Sequence, residues 1–456
     1  MSEMYDLIII GAGPGGYPLA LRAAKSGLKT ALIERDSLGG TCLNWGCIPT
    51  KALLASAKAY HSIKRAADFG LSIGAVSFDL AKIQARKNDI VQKLRLGISK
   101  LVEKAGVKLI KGDARLGKCN SVKIIGSNEW EGTAGKVCLA IGSVPTAPSI
   151  FPKNRDLFWT SDEALSANQI PETLLVVGGG VIGLELGQVF SEFGSKVTIV
   201  EMMPQILPGM DNATAKRLLP VFKKSGLEII TGQKVENLRE TNGEVVAEIE
   251  GKTRIFKKAL LAIGRKPNLS ALEGSGLSLE MAGNSIAIDS SFQTSVSNVY
   301  AIGDCVPGPM LAHKASHDAT VLAECLAGKK QKADYSAVPA CVYTFPEIAW
   351  VGKSEEQAQS EGIQYKVGRF PFSANGKALT AGEADGQIKV LLNDKEKIIG
   401  TIIWGPEASN LLQEATIGMA LQLSAHDISM VIHPHPTLCE ALLEGFENAL
   451  GTGIHT

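Results

Sequence analysis

Residues 5–16, YDLIIIGAGPGG, join an apolar, β-branched run to a glycine-rich turn. A helical segment and a second apolar run, residues 29–34, follow, and the run ends in an acid. In such a unit the first glycine makes the tight turn, the second lets the backbone approach a pyrophosphate, and the third lets the helix pack on the strand. The closing acid accepts hydrogen bonds from ribose hydroxyls. The stretch therefore predicts a dinucleotide-binding unit whose key residues are Gly11, Gly13, Gly16 and Glu34.

The same unit occurs a second time in the chain. Residues 174–183, LLVVGGGVIG, lead into a helical stretch and then into a strand at residues 196–201. In both copies the acid lies 23 residues after the first glycine and 18 after the third. A pair of tight turns without ligand is the alternative, but two copies in register favour two dinucleotide sites. The residues of the second copy are Gly178, Gly180, Gly183 and Glu201.

Further strands that break at glycine extend the repeat. Residues 136–145, KVCLAIGSVP, align with residues 258–267, KALLAIGRKP. A third such exit, residues 299–304, places Asp304 at a strand end, where ligands of open α/β sheets bind. Short strands at residues 387–392 and 398–404 then precede a helical stretch over residues 410–426 and a last helix from Leu438.

These patterns predict an α/β fold with two Rossmann-like dinucleotide-binding domains and a C-terminal α+β domain. The length agrees, because 456 residues exceed the ~250–300 at which single cores stop growing. We expect boundaries at residues 1–146, 147–271, 272–340 and 341–456.

Composition excludes several classes of function. Lys+Arg 47 against Asp+Glu 46 leaves a net charge of +1, so no basic excess indicates nucleic acid. No apolar run reaches the ~18 residues that a membrane span needs. The first residues, MSEMYD, lack the basic and apolar regions of a signal peptide, so we expect a cytoplasmic enzyme.

Among the eight cysteines, only Cys42 and Cys47 lie close together, and no Cys/His cluster suits a metal. In an ideal helix this spacing separates the Cα atoms by about 8–9 Å, whereas a disulfide tolerates about 7 Å at most. If the two bond, the helix must open there, and Gly46 permits that. Two unbonded core thiols are the alternative.

Two dinucleotide units, the Cys-x₄-Cys segment and a late His-Pro pair together resemble the pyridine nucleotide–disulfide oxidoreductase family over essentially the whole chain. Residues 42–51, CLNWGCIPTK, and 433–440, HPHPTLCE, are most similar to members that oxidise dihydrolipoyl groups. The resemblance implies FAD in the first unit and a nicotinamide dinucleotide in the second. It also implies a redox-active Cys42–Cys47 disulfide, a homodimer, and a lipoyl-bearing acyltransferase or glycine-cleavage lipoyl protein as partner.

The resemblance assigns roles to individual residues. Cys47 lies against the flavin and Cys42 meets the incoming dithiol, while Lys51 sits beside the flavin and pairs with Glu185. Further contacts to FAD are implied for Thr41, Ala114, Asp304 and Ala312. Contacts to the nicotinamide dinucleotide are implied for Val235 and Gly264.

Glu201 decides between NAD and NADP. A carboxylate that faces a ribose hydroxyl is favourable, but one that faces a 2′-phosphate places like charges together. The residues that follow, Met202, Met203 and Pro204, supply no arginine for such a phosphate. The sequence therefore predicts NAD.

His435 and Glu440 are the predicted acid–base pair. A dithiol attacks a disulfide only as thiolate, and an imidazole can take that proton near neutral pH. Glu440 would orient the ring. Taken alone, a histidine in HPHP is more typical of a turn than of a catalytic site. His433 is the second candidate for the base. The family motif places the base immediately before Pro436, which favours His435. In the family this histidine reaches the active site of the other subunit.

The sequence departs from the family pattern at one segment, and it can be compared with the requirements of alternative functions. The family usually continues LAHKA with acids, whereas residues 316–318 are Ser-His-Asp. A glutathione-type reductase would need basic residues after Glu201, and a mercuric reductase would need a terminal cysteine pair where residues 451–456 read GTGIHT. An idle structural subunit or a plain NADH oxidase would not need the cysteines together with the histidine and its acid.

Overall fold

The structure, a computed structural model, describes residues 3–125, 130–148 and 151–455. Its first unit contains a parallel sheet core followed by an antiparallel extension. The elements in chain order are β1 (Glu3–Ile10), α1 (Gly16–Lys25), β2 (Thr30–Glu34), α2 (Gly40–Trp45), α3 (Cys47–Lys64), α4 (Leu80–Lys104), β3 (Lys108–Lys111), β4 (Asp113–Leu116), β5 (Ser121–Ile125), β6 (Glu131–Leu139) and β7 (Ser143–Pro145).

The sheet of this unit runs in the order β3-β2-β1-β6-β5-β4. β1 pairs in parallel with both β2 and β6, so it lies in the middle of the sheet. Leu7, Ile8 and Ile9 are fully buried, because both faces of the sheet are covered: Leu7 and Ile9 pack in one cluster with α1, and Ile8 packs in another with the antiparallel strands β4 and β5. This explains why β1 is a continuous apolar run and does not alternate.

The second unit repeats this plan on a five-stranded sheet of order β11-β10-β9-β15-β8. Its elements are β8 (Phe158–Trp159), α5 (Ser161–Leu165), β9 (Thr173–Val177), α6 (Val181–Glu192), β10 (Lys196–Glu201), α7 (Asn212–Lys224), β11 (Leu227–Thr231), β12 (Glu236–Thr241), β13 (Glu244–Ile249), β14 (Lys252–Phe256), β15 (Lys258–Leu261) and β16 (Arg265–Pro267). β12, β13 and β14 form a separate antiparallel sheet, and β16 pairs with β7 of the first unit.

The internal repeat extends to individual hydrogen bonds. The N–H of the first fingerprint glycine donates to the strand that ends in the acid, from Gly11 to Ile33 at 2.8 Å and from Gly178 to Val200 at 2.9 Å. The two units therefore share one backbone geometry where each predicted nucleotide would lie.

The segment between these units and the C-terminal unit returns to the first sheet. Its elements are β17 (Met281–Ala282), β18 (Ser285–Ile286), β19 (Val299–Ala301) and α8 (Ala312–Leu326). β19 pairs in parallel with β6, and α8 packs on α1. Asp304 follows β19 directly, so it lies at the carboxyl edge of the first sheet.

The C-terminal unit is the α+β structure that the sequence predicts. Its elements are β20 (Ala340–Val342), β21 (Glu347–Gly352), α9 (Glu355–Ser360), β22 (Tyr365–Pro371), α10 (Gly376–Thr380), β23 (Gln387–Asn393), β24 (Ile398–Gly405), α11 (Ala408–Ala420), α12 (Ala425–Ser429) and α13 (Cys439–Leu450). The strands form an antiparallel sheet of order β20-β21-β24-β23-β22, on which α11 and α13 pack.

The prediction of one helix over residues 410–426 is wrong. α11 ends at Ala420, and Gln422 takes a left-handed backbone with φ of 55°. Ser424 then caps α12 through a reciprocal pair of hydrogen bonds with Asp427. The apolar periodicity continues across the break, but the left-handed backbone at Gln422 follows the end of α11, and the cap at Ser424 begins a separate helix. Within the described ranges, no helix is both long enough and apolar enough to cross a membrane.

Candidate active site

One cavity of about 2240 Å³ connects the two fingerprint turns. Most of the predicted site residues line it, namely Gly11, Gly13, Glu34, Thr41, Cys42, Cys47, Lys51, Ala114, Gly178, Gly180, Glu185, Glu201, Val235, Gly264, Asp304 and Ala312. Gly16, Gly183, His435 and Glu440 are outside this lining. The fold thus brings residues from three parts of the chain to a single space.

The first and third fingerprint glycines are required for packing. A Cβ at Gly16 would lie 1.8 Å from the carbonyl oxygen of Gly11, and one at Gly183 would lie 2.0 Å from that of Gly178. The second glycines are different, because a Cβ at Gly13 would only reach ordinary contact with the Cα of Gly40 at 3.8 Å, and one at Gly180 would meet nothing within 4 Å. This position is open toward the cavity, which is what a close approach to a pyrophosphate requires.

The acids that close the two units hold the glycine turns by equivalent contacts. One oxygen of Glu34 accepts from the N–H of Ala12 at 2.8 Å, and the other from Asp36 at 2.9 Å. Glu201 accepts in the same way from Gly179 and Met203, both at 2.7 Å. Each carboxylate is therefore fixed beside its turn, and each lines the cavity, so both positions fit the ribose end of a bound dinucleotide.

The helix carrying the two cysteines is interrupted between them, as the spacing argument requires. α2 ends at Trp45, Gly46 leaves the helical region with φ of −142° and ψ of −115°, and α3 begins at Cys47. Both thiols are free in this structure, and Cys42 is hydrogen-bonded to Cys47. A redox-active disulfide between Cys42 and Cys47 stays a prediction.

The pKa values of the two thiols are shifted in opposite directions. The hydrogen bond from Cys42 is the main influence on Cys47 and lowers its pKa to about 7, against the effect of burial and with help from Lys51. The same hydrogen bond raises the pKa of Cys42, and burial adds to that rise. Cys47 is therefore the sulfur of the pair that loses its proton first as the pH rises. A thiolate is the form that donates electrons and attacks sulfur.

Lys51 is held by Glu185 of the second unit. Its Nζ lies 2.8 and 3.0 Å from the two carboxylate oxygens, and the Glu185 carboxylate is almost fully buried. The pair is the one that the resemblance implies. Tyr343 completes it, because its N–H donates to Glu185 at 2.8 Å and its ring centroid lies 4.5 Å from the Lys51 nitrogen. Tyr343 was not predictable from the sequence, since no local motif marks it.

Asp304 is connected to the second unit by a chain of hydrogen bonds. Ser143 donates to Asp304 at 2.6 Å, and Arg265 donates to the Ser143 hydroxyl and carbonyl, both at 2.8 Å. Ser143 and Arg265 stand on the paired strands β7 and β16. Neither residue was among the predicted site residues, although the two occupy equivalent positions in the repeated strand–glycine segments.

The unusual residues 316–318 retain one buried acid. Asp318 has no exposure, forms an ion pair with Lys314 at 2.8 Å, and accepts from the Gly303 N–H at 3.0 Å. Ser316 donates to the carbonyl of Pro14, in the first glycine turn, at 2.9 Å. The departure from the family pattern therefore leaves α8 tied to the first fingerprint.

His435 and Glu440 form the predicted pair away from the cavity of their own chain. Nδ1 of His435 lies 2.8 Å from a carboxylate oxygen of Glu440, and 81% of the histidine side chain is exposed. Partial burial raises the pKa of Glu440, but hydrogen bonds from the Thr437 N–H and the His435 ring lower it by more. Because the anionic carboxylate of Glu440 holds Nδ1 of His435, the other ring nitrogen, Nε2, faces away from Glu440.

His433 cannot take the same role. Its Nδ1 lies 2.8 Å from the Val431 carbonyl and its Nε2 lies 3.0 Å from Glu414. Only 7% of its side chain is exposed. Both nitrogens are already engaged, so His433 secures the loop and leaves His435 as the free imidazole.

The comparison with known families identifies the class of protein. Residues 5–319 match the pyridine nucleotide-disulphide oxidoreductase family, and residues 338–445 match the dimerisation domain of that family. The chain belongs to this family. It carries both the domain with the nucleotide fingerprints and the domain that contains His435 and Glu440.

Individual relatives and solved structures show which members of the family the chain is similar to. The chain is 41% identical to dihydrolipoyl dehydrogenase of Thermus scotoductus over 99% of both chains. It is 39% identical to dihydrolipoyl dehydrogenase of Geobacillus stearothermophilus over 99% of this chain and 97% of the relative. Among solved structures, LpdA of Mycobacterium tuberculosis superposes with a TM-score of 0.88 at 26% identity, covering 98% of this chain and 99% of that one. The flavoprotein disulfide reductase RclA of Escherichia coli, as its Cu(II) complex, gives the same TM-score at 27% identity over the same shares.

Proposed function

We propose that the protein is a dihydrolipoyl dehydrogenase, which oxidises dihydrolipoyl groups to lipoyl groups and passes the electrons through FAD to NAD⁺. The observation that carries this proposal is the position of Cys42 and Cys47, which line the same cavity as both dinucleotide turns. A thiol pair between two such turns can exchange electrons with a dithiol on one side and a nicotinamide on the other.

The first half of the reaction is thiol–disulfide exchange. With the enzyme oxidised, a substrate thiolate attacks the Sγ of Cys42, the Cys42–Cys47 bond breaks, and Cys47 leaves as the thiolate that its lowered pKa favours. The second substrate thiol loses its proton to His435, and its sulfur attacks the mixed disulfide. The cyclic lipoyl disulfide forms, and Cys42 leaves as a thiolate that takes a proton to become the thiol. The His435–Glu440 pair stabilises the imidazolium.

FAD, when bound, would supply the redox chemistry that links the Cys47 thiolate to NAD⁺, and the cavity residues that would hold it are Gly11, Gly13, Glu34, Thr41, Ala114, Asp304 and Ala312. Lys51 places a positive charge beside this region, and Glu185 holds the lysine in position. Glu201 binds the adenosine ribose of NAD⁺. It disfavours NADP⁺, because its carboxylate would face a phosphate.

In this proposal residues 1–146 bind FAD, residues 147–271 bind NAD⁺, and residues 272–340 complete the FAD site. Residues 341–456 form the contact of a homodimer, in which His435 of one subunit serves the cysteines of its partner. The exposure of the His435 side chain supports that arrangement. The substrate is a lipoyl group carried by an acyltransferase or by a glycine-cleavage lipoyl protein. We place the enzyme in the cytoplasm with its NAD⁺ cosubstrate.

Anaerobic titration of the FAD-loaded protein with dihydrolipoamide tests the proposal. A long-wavelength absorbance from a thiolate beside the flavin should develop, and NAD⁺ should then be reduced. Cys47→Ser should abolish both, whereas Cys119→Ser, at an exposed cysteine far along the chain, should abolish neither. NADPH with oxidised glutathione should give no turnover. Dihydrolipoamide turnover that survives in Cys47→Ser would exclude the mechanism.

A further inference from the structure

The side chain of Asn44, between the two cysteines, has every hydrogen-bonding position of its amide occupied. Its nitrogen donates to the carbonyls of Leu38 at 3.0 Å and Gly40 at 2.9 Å. Its oxygen accepts from Nε of Arg95 at 3.0 Å and from Nη2 at 2.7 Å. Asn44 is buried. A buried amide with this many partners has one orientation and one position.

α2, which carries Cys42, has little to hold it in place by itself. It has 6 residues, fewer than an isolated helix needs to be stable. Its N-cap, Gly39, has a left-handed backbone with φ of 96° and provides no side-chain cap, and Gly46 leaves the helical region at the other end. The position of Cys42 relative to Cys47 therefore depends on contacts that α2 makes with its surroundings.

Arg95 supplies the contact from outside the cysteine segment. It stands on α4, 51 residues from Asn44 in the chain, and presents two N–H groups to one oxygen. A guanidinium only donates hydrogen bonds, so it compels the amide of Asn44 to direct its oxygen toward α4 and its nitrogen toward the turn before α2. Bonds from a charged donor are about twice as strong as neutral ones. The fork thus connects the long helix α4 to the short helix α2.

We infer that Arg95 is a positioning residue for the exchange between Cys42 and Cys47, and that it acts through Asn44. The inference rests on the proposed function of the cysteine pair. Arg95 does not touch the reacting sulfurs. Its effect is to hold Cys42 at the distance and direction from which its sulfur can close the bond to Cys47.

The expected consequence concerns the effective concentration of one thiol at the other. Without the fork α2 samples more positions, and fewer of them bring the sulfurs into bonding geometry. Counting the fork as one charge-assisted interaction, because both N–H groups share a single oxygen, its loss predicts a decrease of about tenfold in this effective concentration. The disulfide then becomes easier to reduce, by about 30 mV for a two-electron couple. Ring closure, which returns the oxidised enzyme, becomes slower.

The experiment compares three variants of the FAD-loaded dimer. Arg95→Met removes the fork but keeps most of the apolar stem, and Arg95→Lys keeps the charge with a single donor group. Lys93→Met is the matched control, because Lys93 is exposed on the same helix. Each variant is equilibrated anaerobically with mixtures of reduced and oxidised dithiothreitol, and the disulfide fraction is measured by alkylation and mass spectrometry. Dihydrolipoamide:NAD⁺ turnover and NADH:ferricyanide turnover are measured in parallel.

Arg95→Met should shift the disulfide equilibrium about tenfold toward the dithiol and lower kcat with dihydrolipoamide, with Arg95→Lys between it and the wild type. NADH:ferricyanide turnover, which bypasses the cysteines, should not change, and neither should Lys93→Met. An Arg95→Met enzyme with the wild-type equilibrium would overturn the inference, as would an equal loss of both activities, since that indicates a general structural role. Failure of the proposed function is a separate result, because the wild type would then not oxidise dihydrolipoamide.

Discussion

The charge on Lys51 should set the acidity of Cys47, and this can be measured with opposing substitutions. Cys47 and Lys51 are four residues apart on α3, so they lie on one face of the helix. Lys51 lowers the pKa of Cys47, whereas Glu185 raises it. Lys51→Met should therefore raise the pKa of Cys47, and Glu185→Gln should lower it.

The size of the effect follows from Coulomb's law. Side chains at this helical spacing are about 6 Å apart, and unit charges at that distance attract by about 2.8 kcal/mol at an effective dielectric of about 20. This equals about two pKa units. Because 31% of the Lys51 side chain is exposed, solvent reduces the effect, and we expect about one unit. The pKa of Cys47 would rise from about 7 to about 8.

The assay is the pH dependence of alkylation of Cys47 in the dithiol-reduced protein. At pH 7 the thiolate fraction should decrease from about one half to about one tenth in Lys51→Met, because only the thiolate reacts. Mass spectrometry distinguishes Cys47 from Cys42. Lys58→Met serves as the control, since Lys58 is exposed further along the same helix. Thermal unfolding verifies that each variant is folded.

The direction of the shifts is the critical result. A cavity change unrelated to charge would move the two variants in the same direction. If Lys51→Met and Glu185→Gln both raised the pKa of Cys47, or if neither changed it, the electrostatic explanation of its acidity would be refuted.

Three further predictions concern other parts of the structure. Gly16→Ala places a methyl group 1.8 Å from a backbone oxygen of the first turn, so the purified protein should lack the absorbance of bound FAD. Glu440→Gln keeps the shape of the acid but not its charge, so kcat with dihydrolipoamide should decrease about 10²-fold while NADH:ferricyanide turnover is retained. Lys389→Met leaves the buried carboxylate of Asp211 without its partner at 2.6 Å, so urea unfolding should report a loss of about 3–5 kcal/mol. Burial raises the pKa of Asp211, but Lys389 and Thr214 together lower it by more, so this stability is present above the unfolded pKa and is lost as the pH falls through the folded pKa. Lys389→Met keeps only the Thr214 part of that contribution.

Each of these has a contradicting outcome. Full FAD content in Gly16→Ala would show that the helix can move away from the strand. Equal losses of both activities in Glu440→Gln would indicate a folding defect. An Lys389→Met protein as stable as the wild type would show that water reaches the Asp211 carboxylate. If the reasoning is correct, the free energy of unfolding of Lys389→Met should also decrease less on acidification than that of the wild type.

Much of the site was predictable from local sequence. The glycine turns require residues without a Cβ, and the closing acids recur at a constant distance from them. The break between the cysteines was also predictable, because five-residue spacing does not suit a disulfide in a continuous helix, and Gly46 is where the helix leaves its geometry. By contrast, the end of α11 was missed, because the apolar periodicity gives no sign of the cap at Ser424.

The sequence by itself determined which segments turn, which strands are buried, and where a pair of thiols and a His–Glu pair occur, because these depend on neighbours along the chain. Only the tertiary structure decided which distant groups meet. The Tyr343 N–H reaches Glu185 across 158 residues, and Arg265 reaches Ser143 across 122. Such contacts depend on how separate sheets pack, and packing selects them by shape and charge at sites where no local pattern is required.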